Sequence, residues 1–355
     1  MLVSVEEEIL RAQVEGELRT QLNAALKKYD SLKRDRDDYT EAIFRAAKSA
    51  ASAMIIPPVQ APKADKRSKQ PETAIAVLGD FQLGKLTAGY NSVICEERID
   101  IYADKVIKLT EIQRADHPVN DLQIFVLGDI VEGELIFPSQ QWQLDSSLYQ
   151  QTVLDAPRIL TNFIRKMLAN FSGKITVHMV IGNHGAIGGS ERRNMNPESN
   201  ADRMAYRITQ LLLKDEKRVS FNIPDGSGES HWYTVAEVFP NYKVLLFHGY
   251  NLRGGSGFPW YGLMKKVGGW ALGAIPEVFH DTDFGHWHQP TRVTLNRVTA
   301  RCNGSPESHN TFAQEALAAV GRPSQGLRFV HPKHGVTAEY VVYLDTDNPV
   351  LPQIG

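Results

Sequence analysis

Residues 74–82 read Ala-Ile-Ala-Val-Leu-Gly-Asp-Phe-Gln, so a short apolar run ends directly in a glycine and an aspartate. Apolar, β-branched runs of this length are typical of buried strands. The pattern returns at Leu122–Leu127, Ile175–Ile181, Val244–Phe247 and Val278–Phe284, and strand-like segments follow at Thr291–Thr299 and Ala338–Leu344. Between these runs, residues Arg98–Gln113, Leu148–Leu168 and Ala201–Leu213 have helical patterns. Strands that alternate with helices predict a layered α/β domain.

The five apolar runs all end in residues that can bind a metal ion. Ligands of open α/β sheets bind beyond the carboxyl ends of the strands, so we expect these residues to meet in one crevice. Residues i and i+2 of an extended segment share a face, which lets His286 and His288 present paired ligands. The full set is Asp80, Gln82, Asp129, Asn183, His184, His248, His286 and His288.

Each of these signals is weak alone and strong in combination. A Gly-Asp pair after a strand is commonly a turn, and a histidine such as His248 is commonly a hydrogen-bonded core residue. Oxygen and imidazole donors without a thiolate suit manganese, iron, zinc or nickel. Two divalent ions about 3.5 to 4 Å apart need a bridging carboxylate, and such pairs act on phosphoryl groups. The combined pattern therefore favours phosphoester hydrolysis.

The motif order over residues 73–345 resembles the calcineurin-like metallophosphoesterase family. The motifs are Asp-x-Gln from Asp80, Gly-Asp-x-x-Glu from Gly128, Gly-Asn-His from Gly182, His-Gly from His248 and Gly-His-x-His from Gly285. The resemblance implies a four-layer α-β-β-α sandwich that carries two divalent metal ions at one edge of its sheets. It also implies the ligands: Asp80, Gln82, Asp129 and His288 for the first metal, and Asp129, Asn183, His248 and His286 for the second. By the same resemblance Asp129 bridges the metals, and His184 acts on the leaving group.

Two residues depart from the family pattern. The family usually has histidine where this chain has Gln82, and an amide oxygen there shifts the expected metal towards manganese or magnesium, with iron, zinc and nickel as alternatives. The residue after the catalytic histidine is commonly acidic in the family, whereas here it is Gly185. We expect Glu191 or Glu198 to supply the missing carboxylate.

Substrate contacts are predicted in two loops. Arg192 and Arg193 follow the Gly-Asn-His motif, and Arg253 precedes a glycine-rich and aromatic stretch that ends at Tyr261. Guanidinium groups suit bidentate contact with phosphate, and aromatic side chains stack on bases. The segment from Gly304 to Thr337 resembles phage-encoded proteins described as DNA repair exonucleases, which are similar to SbcD-type nucleases. This second resemblance favours DNA as the substrate.

Composition and charge bear on the substrate, the disulfides and the cellular location of the protein. The chain has 355 residues, a formal net charge of -2 and two cysteines, so no global basic field attracts DNA and no disulfide framework is expected. No apolar run is long enough to span a membrane, and we expect a cytoplasmic protein, in the host cytoplasm if it is phage-encoded. The sequence does not indicate whether a partner ATPase exists.

The N-terminal part of the sequence has a pattern of its own, which differs from that of the α/β domain. Residues 1–55 predict an N-terminal helical extension, with apolar residues at coiled-coil spacing from Leu18 to Ile43. This pattern suits a homo-oligomer or a helix packed on its own domain. Residues 56–72 predict a linker rich in proline and lysine, and residues 73–355 the phosphoesterase domain.

Three functions stay open at this point. The leading hypothesis is a two-metal phosphodiesterase that acts on DNA as an exonuclease-like enzyme of phage or bacterial DNA metabolism. The second is a phosphodiesterase or phosphatase for a small substrate, such as a cyclic nucleotide. The third is a catalytically silent phosphoesterase fold that serves as a binding module, which the departures at Gln82 and Gly185 would suit.

Overall fold

The structure, a computed structural model, describes residues 5–134, 136–137, 140–187, 197–225, 231–254, 257–308 and 321–345. The chain divides into two compact units between Ala50 and Ala51. The first unit consists of most of helix α1, Val5–Ala53. Residues 54–71, which form no helix or strand, are mostly exposed. Two backbone N–H groups bind this segment to the rest of the second unit, from Val59 to Glu216 and from Asp65 to Asn120.

The first sheet has six strands in the order β11-β10-β1-β2-β3-β4. Strands β1 to β4 run parallel, whereas β10 and β11 are antiparallel to their neighbours. Parallel order places the carboxyl ends of β1, β2 and β3 at one edge. The strands are β1 Glu72–Leu78, β2 Val119–Val126, β3 Ile175–Met179, β4 Val219–Asn222, β10 Ser324–His331 and β11 Gly335–Tyr343.

The second sheet has five strands in the order β5-β6-β7-β9-β8. Strands β6 and β7 are parallel, so His248 and His286 follow neighbouring strand ends. The strands are β5 Tyr233–Phe239, β6 Tyr242–Phe247, β7 Asp281–Phe284, β8 Thr291–Leu295 and β9 Val298–Cys302. The segment Thr291–Thr299, predicted to be strand-like and turn-rich, forms β8 and the start of β9, with a turn at Asn296 and Arg297 between them.

Four layers make up the second unit, as the sequence predicts. The two sheets pack face to face through Ile75 and Val77 of one and Val244 and Leu246 of the other. Alternate residues of β6, such as Phe247, point the other way and pack against helix α5. The helices are α2 Ser92–Arg114, α3 Ala156–Leu168 and α4 Ala201–Leu212 on the first sheet, and α5 Trp260–Gly269 on the second.

Helices α3 and α4 carry the apolar stripe that such a layer requires. In α3 the side chains of Ile159, Leu160, Phe163 and Ile164 are buried, at the spacing of one helical face. A π-helical turn, Gln150–Asp155, precedes α3, so the predicted helix Leu148–Leu168 is confirmed with a change of winding near its start. Among the described helices, none combines the length and the apolar character that a membrane span requires.

Buried ion pairs join the two sheets. Arg328 of β10 contacts Asp283 of β7 at 2.6 Å, with both side chains almost fully buried. Arg301 of β9 contacts Asp281 at 2.6 Å and Glu339 of β11 at 2.8 Å. A buried pair of this kind is costly to break, since the remaining charge loses its partner.

We expect the substitution Asp283→Ala to destabilise the protein by about 3–5 kcal/mol, because it leaves the Arg328 guanidinium buried without its carboxylate. Urea unfolding followed by circular dichroism measures the change. The control is Glu237→Ala, which breaks the exposed Lys243–Glu237 pair and should cost less than about 1 kcal/mol. Equal losses of stability in the two variants would contradict this reading of the Arg328–Asp283 pair.

Candidate metal centre

The strand ends of both sheets meet at one edge of the sandwich. The backbone N–H of Asp80 donates to the carbonyl of Gly128 at 2.9 Å, which joins the ends of β1 and β2. The N–H of Gly285 donates to the carbonyl of His248 at 2.8 Å, which joins the ends of β6 and β7. The two sheets are then linked by the N–H of His286, which donates to the Asp80 carboxylate at 2.8 Å.

The backbone at this edge adopts an unusual conformation. Apart from one turn residue, Asn296, every non-glycine residue with a positive φ in the described ranges belongs to the predicted metal ligands. Such a conformation costs on the order of 1–3 kcal/mol per residue and clusters at functional sites. The φ angles are 52° at Asp80, 45° at Gln82, 50° at Asp129, 71° at His286 and 54° at His288.

Three side chains predicted for the second metal lie in ligand geometry. One donor atom from each of Asp129, His248 and His286 lies within 4.8 Å of the others. Nδ1 of His248 contacts the carbonyl oxygen of Leu127 at 2.7 Å, so Nε2 is the nitrogen that faces the other ligands. That Nε2 lies 2.8 Å from Oδ2 of Asp129, and neither atom has another hydrogen-bond partner.

The second set fits a cation. Buried polar atoms nearly always have hydrogen-bond partners, so several buried atoms without one in a single place need an explanation. Here Oδ2 of Asp129, Oδ1 of Asn183 and Nε2 of His248 are all buried and lack such a partner. Carboxylate, amide and imidazole donors are the ligands that a divalent transition metal prefers. Asp129, Asn183, His248 and His286 would therefore hold a divalent metal ion.

Burial and neighbouring charges set the protonation of the Asp129 carboxylate. Burial alone would raise the pKa of Asp129, but the imidazoles of His248 and His184 outweigh it and lower the pKa below its usual value. Oδ1 of Asp129 also accepts a hydrogen bond from the backbone N–H of His184 at 2.7 Å. The carboxylate is thus held ionised, the form in which it binds a metal.

A carboxylate that the sequence analysis missed fixes the loops of the site. Asp202, fully buried at the start of α4, accepts hydrogen bonds from the backbone N–H groups of Asp129 at 2.9 Å and Gly182 at 2.8 Å. It also accepts from Ile130 and Val131 at 3.0 and 3.2 Å. Its only sequence signal is its position two residues after the N-cap of α4, Asn200.

Two glycines allow the loops to approach each other. A Cβ on Gly182 would lie 2.0 Å from Oδ1 of Asp129, and one on Gly128 would lie 2.5 Å from the backbone nitrogen of Gly182. Gly128 also has a φ of 88°, which glycine adopts at little cost. A larger residue at either position would therefore collide with atoms of the ligand loops.

His184 has a carboxylate partner, and it is Glu132. Nδ1 of His184 lies 3.1 Å from the backbone carbonyl oxygen of Glu132, which is its hydrogen-bond partner, and 3.1 Å from Oε2 of the same residue. Oε1 of Glu132 accepts from the amide of Gln140 at 3.0 Å. Burial alone would lower the pKa of His184, but the charges of Glu132 and Asp129 raise it to about 9. The two carboxylates therefore favour the protonated form of His184.

The partners proposed for His184 from sequence need correction. Glu198 lies 3.6 Å from the guanidinium of Arg203 instead, and Glu191 lies outside the described residues. A side chain at position 185 has no room, because a Cβ on Gly185 would lie 2.6 Å from Oδ1 of Asn200. Glu132 stands in the Gly-Asp-x-x-Glu motif, so its acidic character was visible in the sequence while its contact was not.

The residues predicted for the first metal are arranged differently. Oε1 of Gln82 accepts a hydrogen bond from Nζ of Lys85 at 2.9 Å, and Nε2 of Gln82 lies 3.2 Å from Nε2 of His288. Oδ2 of Asp80 is the one atom of Asp80, Gln82 and His288 among the buried atoms without a hydrogen-bond partner. Burial would raise the pKa of Glu307, but His288 and Lys85 outweigh it and lower the pKa to about 2.

Of the three arginines predicted to contact the substrate, the structure describes one. Arg192 and Arg193 lie outside the described residues. Arg253 is exposed, and its backbone packs against the first turn of α5, where a Cβ on Gly262 would lie 2.5 Å from the Arg253 carbonyl oxygen. Trp260 in that turn is 53% exposed, whereas Trp270 is half-buried and packs against Trp232 and Phe247. Trp260 is therefore the more accessible of these two tryptophans.

The substitution Glu132→Gln should lower kcat for a model phosphodiester about 10- to 100-fold with bound metal unchanged, because His184 loses a charged partner but no metal ligand is altered. Hydrolysis of bis-p-nitrophenyl phosphate and metal analysis measure the two effects. The matched control, Glu198→Gln, should retain the activity of the original chain. A larger loss in the control than in Glu132→Gln would contradict the assignment.

The substitution Asp202→Asn should weaken metal binding about 10- to 100-fold, because an amide NH2 would replace one of the oxygens that orient both ligand loops. Titration with Mn²⁺ in a calorimeter measures the affinity. The control is Asp121→Asn, whose carboxylate accepts from the N–H of Lys174 at the opposite end of the strands. An unchanged affinity in Asp202→Asn would show that the loops hold their geometry without this carboxylate.

Comparisons with known proteins give distant likenesses. No protein-family model matches the chain, and no curated protein matches it. A predicted phosphoesterase from Streptococcus pneumoniae is 13% identical, with a TM-score of 0.29 and coverage of 77% of this chain and 99% of that one. An archaeal phosphodiesterase is 11% identical, with a TM-score of 0.35 and coverage of 76% and 99%. Vps29 from Entamoeba histolytica, complexed with zinc, is 12% identical, with a TM-score of 0.30 and coverage of 77% and 99%. Likenesses of this degree do not assign a family or an activity to the chain.

Proposed function

We propose that this chain is a divalent-metal-dependent phosphodiesterase. The observation that carries the proposal is the cluster of donor atoms from Asp129, His248 and His286, which lie within 4.8 Å of one another at the strand ends. A divalent ion held there supplies Lewis-acid stabilisation for the charge of a phosphoryl group. This donor set and a neighbouring histidine are what hydrolysis of a phosphate ester requires.

His184 is the proposed general acid. Its Nδ1 is held by Glu132, so Nε2 is the nitrogen available to a substrate. That Nε2 lies 4.0 Å from Oδ2 of Asp129, at the border of the ligand cluster. A proton on this nitrogen can pass to the leaving-group oxygen of a phosphate ester bound at the cluster.

We further propose DNA as the substrate and manganese as the metal, in an exonuclease-like reaction. A row of aromatic rings begins at His286, whose ring centroid lies 5.5 Å from that of Trp287. The centroid distances are then 6.0 Å from Trp287 to Phe258 and 4.6 Å from Phe258 to the half-exposed Trp260. With the exposed Arg253 beside them, these rings supply the combination of stacking surface and cation that suits single-stranded nucleic acid.

A second candidate is a phosphodiesterase for a small substrate such as a cyclic nucleotide. The formal net charge of -2 supplies no long-range attraction to a polyanion, and this favours a small substrate. Both candidates use the same metal ligands and the same proton donor. They differ in whether the surface around Trp260 contributes to binding.

With added Mn²⁺, the protein should cleave end-labelled single- or double-stranded DNA, and Asp129→Ala should reduce cleavage by about a thousandfold or more, since several kcal/mol of transition-state stabilisation are lost. The control Asp121→Asn, distant from the site, should cleave normally. The same preparations are assayed with bis-p-nitrophenyl phosphate and a cyclic nucleotide.

The outcomes separate the candidates. Hydrolysis of the small esters without cleavage of any DNA would reject the nuclease and favour the second candidate. No hydrolysis of any ester, together with much less than one bound metal per chain, would reject the enzyme and favour a silent binding module.

A further inference from the structure

The side-chain amide of Gln82 contacts both Lys85 and His288. An ammonium group can only donate, so the amide oxygen must face Lys85, which lies at 2.9 Å, and the NH2 group must face His288. Nε2 of His288, at 3.2 Å, then offers no lone pair to a metal. If it is protonated it carries a hydrogen, and if it is neutral it accepts from Gln82.

Lys85 and Glu307 close these contacts into a ring of four side chains. Nζ of Lys85 lies 2.6 Å from Oε1 of Glu307, and Oε2 of Glu307 lies 3.1 Å from Nδ1 of His288. The side chains of Lys85 and Glu307 are only 10% and 2% exposed. Breaking a buried ion pair leaves an uncompensated charge, so this ring resists opening.

A cation beside the ring would also meet a like charge. The ammonium of Lys85 holds the oxygen of Gln82 that the first metal would need. A divalent ion placed there would have to displace the ammonium and would be repelled by it at short range. The residues predicted for the first metal therefore do not fit a metal in this arrangement.

The second set is arranged differently. Nε2 of His248 and Oδ2 of Asp129 lie 2.8 Å apart and have no other hydrogen-bond partner, and His248 uses its other nitrogen on a backbone carbonyl. Within the described ranges, Asp129, His248 and His286 are also the one group of three or more such side chains found in metal-binding geometry. One half of the predicted centre is open, and the other half is closed by Lys85.

We propose that this chain binds a single divalent metal ion, on Asp129, Asn183, His248 and His286, and that the Lys85 ammonium replaces the first metal of the two-metal centre. The inference rests on the proposed function, and it departs from the two metals predicted from sequence. Lys85 then occupies the first-metal side, where it is paired with Glu307 at 2.6 Å.

The test is metal stoichiometry, which is independent of activity. The full chain, freed of metal and titrated with Mn²⁺ in a calorimeter, should bind one ion, and its electron paramagnetic resonance spectrum should be that of an isolated Mn²⁺. The double variant Lys85→Met with Gln82→His should bind two ions and show a spin-coupled signal. The control Lys69→Met removes an exposed lysine that pairs with Asp116, and it should still bind one.

Two bound ions in the unaltered chain, or a coupled signal, would overturn the proposal, and this measurement does not depend on the folding of a variant. A folded double variant that still binds one ion would overturn the role of Lys85. One bound ion without hydrolysis of any ester would reject the proposed function and leave the single-metal site standing. Two bound ions together with hydrolysis would reject the single-metal site and leave the proposed function standing.

Discussion

The carboxylate of Asp202 accepts hydrogen bonds from four backbone N–H groups of the two loops that carry Asp129, Asn183 and His184. Those loops follow different strands, β2 and β3, and nothing in their own sequences fixes the distance between them. Asp202 supplies that distance from the first turn of α4. Because an oriented carboxylate satisfies several donors at once, the loops can keep close contact and a strained backbone without orphaned N–H groups.

The backbone leaves the extended form where the predicted ligands begin. A strand that continued in extended form would carry Asp80 and Gln82 to one face, whereas both residues have a positive φ. The contact from the His286 N–H to Asp80 then holds the two sheets in register at that edge. The buried pair of Arg328 and Asp283 joins the sheets a short way behind it.

Two buried carboxylates at the site each contact a basic side chain. These two pairs lie on different sides of the predicted metal centre. Glu132 holds the proton of His184 next to the open ligand set. Glu307 holds Lys85 next to Gln82, on the side where the sequence predicts a first metal. A substrate phosphate would then lie between a metal ion and a lysine, with the histidine available to the leaving group. This geometry is compatible with a phosphodiester of DNA and with one of a small molecule.

The sequence by itself determined the strands and the residues that gather at their ends, because hydrophobic periodicity and strand polarity are local properties that a chain carries in its order. The four layers followed only from the resemblance of its motifs. It did not determine which side chains pair there. The partner of His184 is Glu132 and not Glu198, since the space beside Gly185 is filled by Asn200. Asp202 and Lys85 were not predicted to have a role, because their contacts join segments whose distance only the packed sheets and helices set. The role of Gln82 likewise depends on an ammonium group that the tertiary structure buries against it.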